Sequence, residues 1–597
     1  MQAKNPRSTV FSAKELRTFF VCLAVSAICI WITFFSGLRR IPEQTVWKGN
    51  PLFEAKKAYE WTHKLAKNFP NRVPWKPEHQ AAAQFLINEL KKLGYKEPEI
   101  ITFDETIGTR DVKGLQNIFV TLKGTKIQNE IIVVHAHYDV TDTTIEGAAD
   151  DASGVGTVLE LARIFKQKPT SNRTLIFLLT DSEEYGALWG AHEFIKQYPH
   201  TKNIVAAISL DFLAPEEQEE IMVLTDGLKS GYTPLWLREL ALNSIRAVPF
   251  KANDTRNLLE YVQRALLIPP AEHGAFLMAG IPALNYFGKS KDFKKQMGSI
   301  HHTPLDIVEN LQIKSFESYG KSTEILIHSL DAYPSTLNKP NFKTGDYWKL
   351  TDYVYLAEPF ISIMHGLFCV PFLVYMLLLC KALKQYPRKL VFQVMKNEVK
   401  GFSVLFLSLL AGYGVLRILP DLKFIEKYEM FPATQKSLIL YNPQYLVIGF
   451  LFLLTVTLYF LLSYILKSRL DKQNPDYISQ IRIRHSLLGI ILGLIIVLAF
   501  LKNEHLGTLL VLPPAYLWMF MKNSRTIDSK LLNILLFIGG LLSLIAVCVI
   551  TSFVFHIGVL YWYLLLAAAY GLVSVYAAVL AFALIAVAIR ILRNLYF

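Results

Sequence analysis

The sequence predicts an α/β domain followed by an all-α domain that crosses a membrane several times. Between residues 41 and 349, short apolar runs of strand length alternate with stretches that show helical apolar spacing. From residue 353 to residue 597, long apolar runs alternate with short basic segments. Over the whole chain only 19% of residues are charged, whereas a soluble domain has about 25%.

The first predicted element is a transmembrane helix, Phe19–Leu38, which is a run of 20 residues without charge. About 20 apolar residues are needed to cross a bilayer. The run is long for a signal-peptide core, and no small-residue cleavage site follows it, only Leu38-Arg39-Arg40. We therefore expect residues 1–18 to be a cytoplasmic tail and residues 19–38 to be a retained signal anchor.

Residues 41–349 are expected to form one domain with a central sheet. The runs of strand length are Ile131–Val134, Leu175–Leu179, Ile204–Leu210 and Ile281–Tyr286. The stretches with helical spacing are Val155–Phe165, Ala187–Tyr198 and Leu235–Ser244. Because the strand runs are continuously apolar, the sheet should be buried on both faces, with helices on each side. This part of the sequence contains no cysteine, which excludes disulfides, thiolate metal ligands and a cysteine nucleophile.

Residues 353–597 are expected to contain seven or eight further spans. The candidate runs are Phe360–Cys380, Gly401–Leu419, Tyr445–Leu466, Leu487–Leu501, Leu506–Met521, Leu531–Phe555 and Val559–Ala588. The last run counts as one span if it is continuous and as two if Gly571 breaks it. With the anchor, the chain therefore has eight or nine spans.

The basic residues predict the orientation of these spans. The segments Lys381–Lys400, Lys467–Arg484 and Lys522–Lys530 are rich in Lys and Arg, which favours a cytoplasmic position for them. The domain of residues 41–349 is then extracytoplasmic. The net charge of +13 is explained by these flanking cations, so no nucleic-acid partner is expected. The lack of cysteine favours a bacterial inner membrane with the domain facing the periplasm; in a eukaryote the membrane would be that of the endoplasmic reticulum or vacuole.

Metal-ligand side chains follow the predicted strands. His135-Ala136-His137-Tyr138-Asp139 comes directly after the first strand, and a later turn carries Asp150-Asp151-Ala152-Ser153-Gly154. Asp181-Ser182-Glu183-Glu184 follows the second strand, Asp211 ends the third, and His301-His302-Thr303-Pro304-Leu305-Asp306 comes late in the domain. In open α/β sheets, ligands bind at the carboxyl edge of the strands. Imidazole and carboxylate ligands without thiolate suit zinc, and also cobalt or manganese.

Each of these segments also has a plain structural interpretation. Paired aspartates before Ala-Ser-Gly could cap a helix, and adjacent glutamates often form a solvated helix face. His192-Glu193 begins like the HExxH zinc motif, but Lys196 stands where the second histidine would be. The chain has no GxSxG elbow. It is the joint order of the segments, each beside an apolar strand, that predicts a metal site.

This order of motifs resembles the co-catalytic zinc aminopeptidases of the bacterial leucyl aminopeptidase type. The resemblance covers roughly Asn50 to Asp331 and implies a mixed sheet flanked by helices. The layout of one span, a peptidase domain and a polytopic C-terminal half resembles the branch of endoplasmic-reticulum metallopeptidases and vacuolar membrane proteases. The C-terminal half is similar in layout only.

The resemblance implies a centre that holds two zinc ions per chain. It assigns five ligands, of which one bridges the two metals: His137 and Asp211 on one ion, Glu184 and His302 on the other, and Asp150 between them. It also implies a cis peptide between Asp150 and Asp151. His135 and His301 are not expected to be ligands.

Two further residues are expected to take part in catalysis. Glu183 resembles the general base, which would take a proton from a hydroxide or water bridging the metals and deliver it to the leaving amine. Asp139 resembles the carboxylate that orients His137. The implied activity is hydrolysis of peptide bonds, as an aminopeptidase acting on a peptide or protein with a free N-terminus.

Three other functions stay open at the level of sequence. A glutaminyl cyclase, an acyltransferase on the same fold, would use one zinc ion. A non-enzymatic scaffold would lose ligands or the base. A transport-associated protein would use the domain only to capture a substrate, and His365 inside the Phe360–Cys380 run raises that question as an ionisable group in a membrane span. The physiological substrate and the oligomeric state cannot be read from the sequence.

Overall fold

The computed structural model describes residues 13–107, 110–185, 188–225, 232–266, 271–334, 347–422, 424–425, 444–466, 477–521, 527–555, 560–570 and 575–596. These residues divide into two compact units. The sheet unit comprises residues 39–355, and the helical unit comprises residues 13–38 together with those from 356 onward. Most of the tail predicted for residues 1–18, and parts of the basic segments after residues 466 and 521, lie outside the described residues.

The described residues contain eleven β-strands. In chain order they are β1 (Leu38–Arg40), β2 (Glu99–Ile107), β3 (Arg110–Leu122), β4 (Ile127–His137), β5 (Arg173–Thr180), β6 (Ile204–Asp211), β7 (Gln218–Leu224), β8 (Lys251–Asp254), β9 (Ala283–Ser290), β10 (Tyr347–Lys349) and β11 (Val354–Ala357).

The α-helices of the sheet unit begin after the first helix of the chain, α1 (Ala13–Gly37). They are α2 (Ala55–Asn68), α3 (Pro77–Lys92), α4 (Ser153–Gln167), α5 (Trp189–Gln197), α6 (Leu235–Ala247), α7 (Asn257–Leu266), α8 (His273–Met278), α9 (Phe293–Lys295) and α10 (Ile313–Ala332).

The remaining α-helices belong to the helical unit. They are α11 (Glu358–Leu383), α12 (Arg388–Ile418), α13 (Tyr445–Leu466), α14 (Tyr477–Lys502), α15 (Glu504–Leu506), α16 (Leu512–Met519), α17 (Ile527–Phe555), α18 (Leu560–Tyr570) and α19 (Val575–Tyr596).

Eight strands form one mixed sheet in the order β2-β3-β5-β4-β6-β9-β7-β8. The four central strands, β5, β4, β6 and β9, are parallel to one another, whereas β3 and β7 pair with this group in the antiparallel direction. The chain passes from β4 to β5 on one side and then to β6 on the other side of β4. This reversal of direction creates a crevice at the carboxyl edge of β4, where ligand sites form in open α/β sheets.

The sheet is buried on both faces, as the continuous apolar strands predict. Ile132 and Val134 of β4 pack into a core formed with α2, α3, α4, α6 and α10. Ile131 and Val133, which point the other way, pack into a second core formed with α5 and α8. Each of these four side chains is no more than 3% exposed, and such burial contributes about 1.5–3 kcal/mol per side chain. The end of β4 is therefore held firmly in place.

The helical unit contains six helices that are long and apolar enough to cross a membrane, counted among the described residues. They cover Lys14–Gly37, Glu358–Leu383, Arg388–Ile418, Tyr445–Ile465, Ser479–Lys502 and Leu531–Ile550. Their length and apolar composition indicate a membrane protein.

Several predicted spans have different bounds in the structure. The run Gly401–Leu419 belongs to a helix that begins at Arg388, because the basic residues after Pro387 are good helix formers. The run Leu506–Met521 is divided into short helical pieces, and Pro513 and Pro514 lie at the start of α16, where a missing N–H group is tolerated. The long final run forms two helices, α18 and α19. Gly571, the proposed break, lies outside the described residues.

Candidate metal centre

The side chains of the metal-ligand type converge at the carboxyl edge of the central strands. His137 is the last residue of β4, and Asp211 is the last residue of β6. Glu183 and Glu184 follow the end of β5, which lies beside β4. His302 comes from the segment after β9, the next strand beyond β6. Parallel pairing of these strands thus brings together residues that are far apart in sequence.

Asp150 lies at the middle of this group. Its Oδ1 is 3.1 Å from Nε2 of His137, and its Oδ2 is 2.8 Å from Nε2 of His302. The peptide between Asp150 and Asp151 is cis, as the family resemblance implies. The backbone N–H groups of Ala149 and Asp150 donate to the carboxylate of Asp306 at 2.7 and 3.1 Å. The turn is therefore anchored so that the two carboxylate oxygens of Asp150 face different histidines.

The other ligand-type side chains lie on either side of Asp150. Nε2 of His302 is 2.8 Å from Oε2 of Glu184. Nε2 of His137 is 3.9 Å from Oδ1 of Asp211. His137, Asp150 and Glu184 offer donor atoms that all lie within 4.8 Å of one another. The structure therefore brings together all five residues that the sequence predicts as ligands.

Asp139 contacts both the imidazole and the turn that carries the glutamates. Its Oδ1 is 3.3 Å from Nδ1 of His137. It accepts hydrogen bonds from the backbone N–H of Glu183 at 3.1 Å and of Glu184 at 3.2 Å. This carboxylate is fully buried. It can hold the ring of His137 and the Glu183–Glu184 turn in one fixed relation.

Glu183 lies at the open side of the group. Its Oε2 is 4.0 Å from Nε2 of His137, and its side chain is 12% exposed. The side chain of Glu184 is only 2% exposed. Glu183 can therefore meet a molecule that enters from solvent, whereas Glu184 faces inward toward His302.

The backbone is strained on the loops that carry these side chains. Ser182 before Glu183, Phe212 after Asp211, and His302 itself have φ values of 58°, 60° and 55°. Such left-handed conformations are uncommon for residues other than glycine and are concentrated at functional sites. These strained loops orient the side chains of Glu183, Asp211 and His302.

The electrostatics of the group favour the binding of cations. Burial raises the pKa of each of the carboxyl groups of Glu183 and Glu184 well above the ordinary value for glutamate, and repulsion from nearby carboxylates raises it further. Burial also raises the pKa of Asp306 to about 7. Arg72 is buried beside these carboxylates, and burial lowers the pKa of its guanidinium to about 10. One arginine cannot balance so many carboxylates.

Divalent zinc fits the donor atoms that are present. Nδ1 of His302, Oε1 of Glu184 and Oδ2 of Asp151 are buried without a hydrogen-bond partner, a costly arrangement unless something else occupies their surroundings. Imidazole and carboxylate donors without cysteine are typical of zinc sites that retain an open position. The residues therefore fit the expected zinc ions.

Three further residues adjoin the side chains of the ligand type. Asp306 belongs to the last of the sequence motifs, which assigns it no role. Arg72 donates to the backbone oxygens of Tyr138 and Gly147 at 2.7 and 2.8 Å, and no motif marks it. His301, which was not expected to be a ligand, places Nε2 2.9 Å from Oδ2 of Asp150.

His135 lies apart from the group. Its Nδ1 is 3.1 Å from Oε2 of Glu272, and Thr180 donates to the same oxygen at 2.6 Å. All three side chains are buried.

The chain is similar to a known peptidase family and to several known proteins. Residues 117–325 match the sequence profile of peptidase family M28. The "Alkaline phosphatase isozyme conversion protein" of Escherichia coli strain K12 is 25% identical over 306 residues, which cover 48% of this chain and 77% of that protein. A "Probable zinc metalloprotease" of Pyrenophora tritici-repentis is 36% identical over 115 residues, covering 18% of this chain and 26% of that protein.

Membrane proteins are also among the relatives. The "Vacuolar membrane protease" of Candida dubliniensis is 26% identical over 200 residues, which cover 33% of this chain but only 19% of that protein. A solved structure of a zinc aminopeptidase from Bacillus subtilis has a TM-score of 0.40 and 15% identity, covering 47% of this chain and 96% of that chain. The matches to the two fungal proteins thus span about a quarter or less of their length.

Proposed function

We propose that the chain is a membrane-anchored, zinc-dependent peptidase that acts as an aminopeptidase, since residues 117–325 match the profile of peptidase family M28. The observation that carries the proposal is the position of Asp150, whose two carboxylate oxygens face His137 and His302. A bridging carboxylate of this kind can hold two metal ions close together. Two relatives are named as a probable zinc metalloprotease and a vacuolar membrane protease, and these names support a zinc-dependent peptidase in a membrane.

Two donor sets would hold the ions. His137 and Asp211 would bind one zinc ion, Glu184 and His302 the other, and Asp150 both. When bound, such ions lower the pKa of a coordinated water toward 7 and polarise the carbonyl of the substrate.

Glu183 is the residue that moves the proton. Its carboxylate, on the open side of the centre, takes a proton from the attacking water and passes it to the nitrogen of the leaving amine. Asp139 does not touch the substrate in this account. Its Oδ1 contacts the ring of His137 and accepts the backbone N–H of Glu183, and its Oδ2 accepts the backbone N–H of Glu184.

A free amino terminus suits the open side of the centre. The side chains of Glu183 and Asp211 are 12% and 13% exposed there. The partly exposed carboxylate of Glu183 at this rim favours a positively charged amino group close to the bond that is cut. We therefore propose cleavage at the first peptide bond.

The test compares one peptide with a free and with an N-acetylated terminus, using the purified full chain. The free peptide should lose its first residue, and the acetylated peptide should be cut much more slowly. Asp150→Ala should abolish cleavage, whereas Asp142→Ala, an exposed carboxylate of the same loop, should not.

Three results would contradict the proposal. Equal rates for the two peptides would argue against aminopeptidase action. Full activity of Asp150→Ala would argue against the metal centre. Cyclisation of an N-terminal glutamine without cleavage would identify an acyltransferase instead.

The orientation in the membrane is also a proposal. The Lys- and Arg-rich segments near residues 381–400, 467–484 and 522–530 are best placed in the cytoplasm, which leaves the sheet unit on the extracytoplasmic side. Asp142→Cys should react in intact cells with a membrane-impermeant maleimide, above the signal of the parent chain. Labelling only after the membrane is permeabilised would reverse the orientation.

A further inference from the structure

A second group of metal-ligand side chains lies in the helical unit, away from the centre described above. It consists of His365, Glu504 and His505, whose donor atoms all lie within 4.8 Å of one another. His365 is on α11, and the other two residues form the short turn that follows α14. Neither the peptidase activity nor the fold of the sheet unit gives this group a role.

The helix packing brings these residues together. Phe372 and Leu379 of α11 share an apolar core with Leu492 and Ile496 of α14. His365 lies seven residues after the first residue of α11, and Glu504 lies two residues after the last residue of α14. The N-terminal part of one candidate span therefore meets the C-terminal end of another.

The three side chains point to one place. Nδ1 of His365 is 3.2 Å from Oε1 of Glu504. The rings of His365 and His505 have centroids 4.8 Å apart and planes inclined by 77°. His365 is 1% and His505 is 5% exposed. Two buried imidazoles and one carboxylate therefore lie at the same point.

The surroundings hold the group in this arrangement. Ser362, one turn before His365 on α11, donates to Oε1 of Glu504 at 3.3 Å. Asn503 accepts a hydrogen bond from the backbone N–H of Leu506 at 3.0 Å and so caps the turn that carries Glu504 and His505. Metal-bound carboxylates are themselves usually hydrogen-bonded in this way.

We propose that His365, Glu504 and His505 form a separate zinc site in the helical unit, which fastens α11 to the turn after α14. Two imidazoles and one carboxylate are a donor set that zinc takes in proteins, with the fourth position left to water or another ligand. A cation here would also offset the cost of a carboxylate beside apolar membrane helices. This site is independent of the proposed peptidase function.

The test is the zinc content of the purified full chain after equilibration at a buffered free-zinc concentration. Wild type should hold one zinc ion more than His365→Ala, Glu504→Gln or His505→Gln. The matched control is His485→Ala, which removes a half-buried histidine of α14 in the same unit and should hold as much zinc as wild type. All four variants should retain peptidase activity, since none changes the sheet unit.

The zinc count alone decides the proposal. Equal zinc content in wild type and in the three variants would overturn it and leave His365 and Glu504 as an ordinary ion pair. If His365→Ala fails to fold, the nearly isosteric Glu504→Gln decides the question by the same count. Failure of the peptidase proposal would appear instead as unchanged activity in Asp150→Ala, so the two failures are distinguishable.

Discussion

Asp139 provides a direct test of how the metal centre is built. Its carboxylate contacts Nδ1 of His137 at 3.3 Å and accepts the backbone N–H groups of Glu183 and Glu184 at 3.1 and 3.2 Å. In Asp139→Asn one oxygen becomes an NH₂ group. At least one of these buried donors then faces another donor, which costs about 1–3 kcal/mol.

The same change should weaken the hold on zinc. Replacing a partner of a metal-bound histidine lowers metal affinity or activity about 10- to 100-fold, equivalent to about 1.4–2.8 kcal/mol. Competition with a chromogenic chelator would measure the affinity of wild type, Asp139→Asn and Asp142→Asn. We expect the loss only in Asp139→Asn, together with activity that partly recovers in excess zinc. An affinity within about twofold of wild type would refute the role given to Asp139.

Two further predictions concern the sheet unit. In Gly154→Ala the added Cβ would overlap the carbonyl oxygen of Leu210 and the carboxylate of Asp151, so we expect loss of zinc and a lower Tm. In the control Gly414→Ala the Cβ meets nothing within 4 Å, and both zinc content and Tm should stay unchanged. Equal Tm values in the two variants would contradict this packing. Burial lowers the pKa of His328, so the unfolded chain binds more protons than the folded chain as the pH falls through about 6.5, and this residue costs stability at acid pH. Between about pH 7.5 and 5.5, the Tm of His328→Gln in differential scanning fluorimetry should therefore fall less than the Tm of wild type. An equal or larger fall in the variant would contradict the lowered pKa of His328.

The sequence predicts which side chains meet at this edge of the sheet, because most of them stand at the ends of apolar strands. His137 and Asp211 end parallel strands that are buried on both faces, so the strand pattern alone places them at one edge. Asp150 needed the family resemblance, because an Asp-Asp pair before a helix is equally typical of a cap. Arg72 could not be found in this way, since its contacts are with backbone oxygens and leave no pattern in the sequence.

Helix bounds in the membrane part were harder to predict. Hydropathy marks where apolar residues begin, but α12 starts at Arg388, well before the apolar run, because helix propensity does not depend on hydropathy. Nothing in the sequence indicates that Glu504 and His505 belong with a third residue. Their partner His365 lies more than a hundred residues earlier, and only the packing of α11 against α14 brings them together.

The most direct test of the account is to measure zinc content and kcat together for wild type and Glu183→Gln, with an aminoacyl-anilide as substrate. Glu183 lies 4.0 Å from Nε2 of His137 and is proposed to move protons, not to hold metal. We expect both proteins to hold the same amount of zinc, at least the two ions of the sheet unit. The kcat of Glu183→Gln should fall by about 10²- to 10⁴-fold, the usual contribution of a general base. An unchanged kcat, or loss of zinc in the variant, would contradict the central claim.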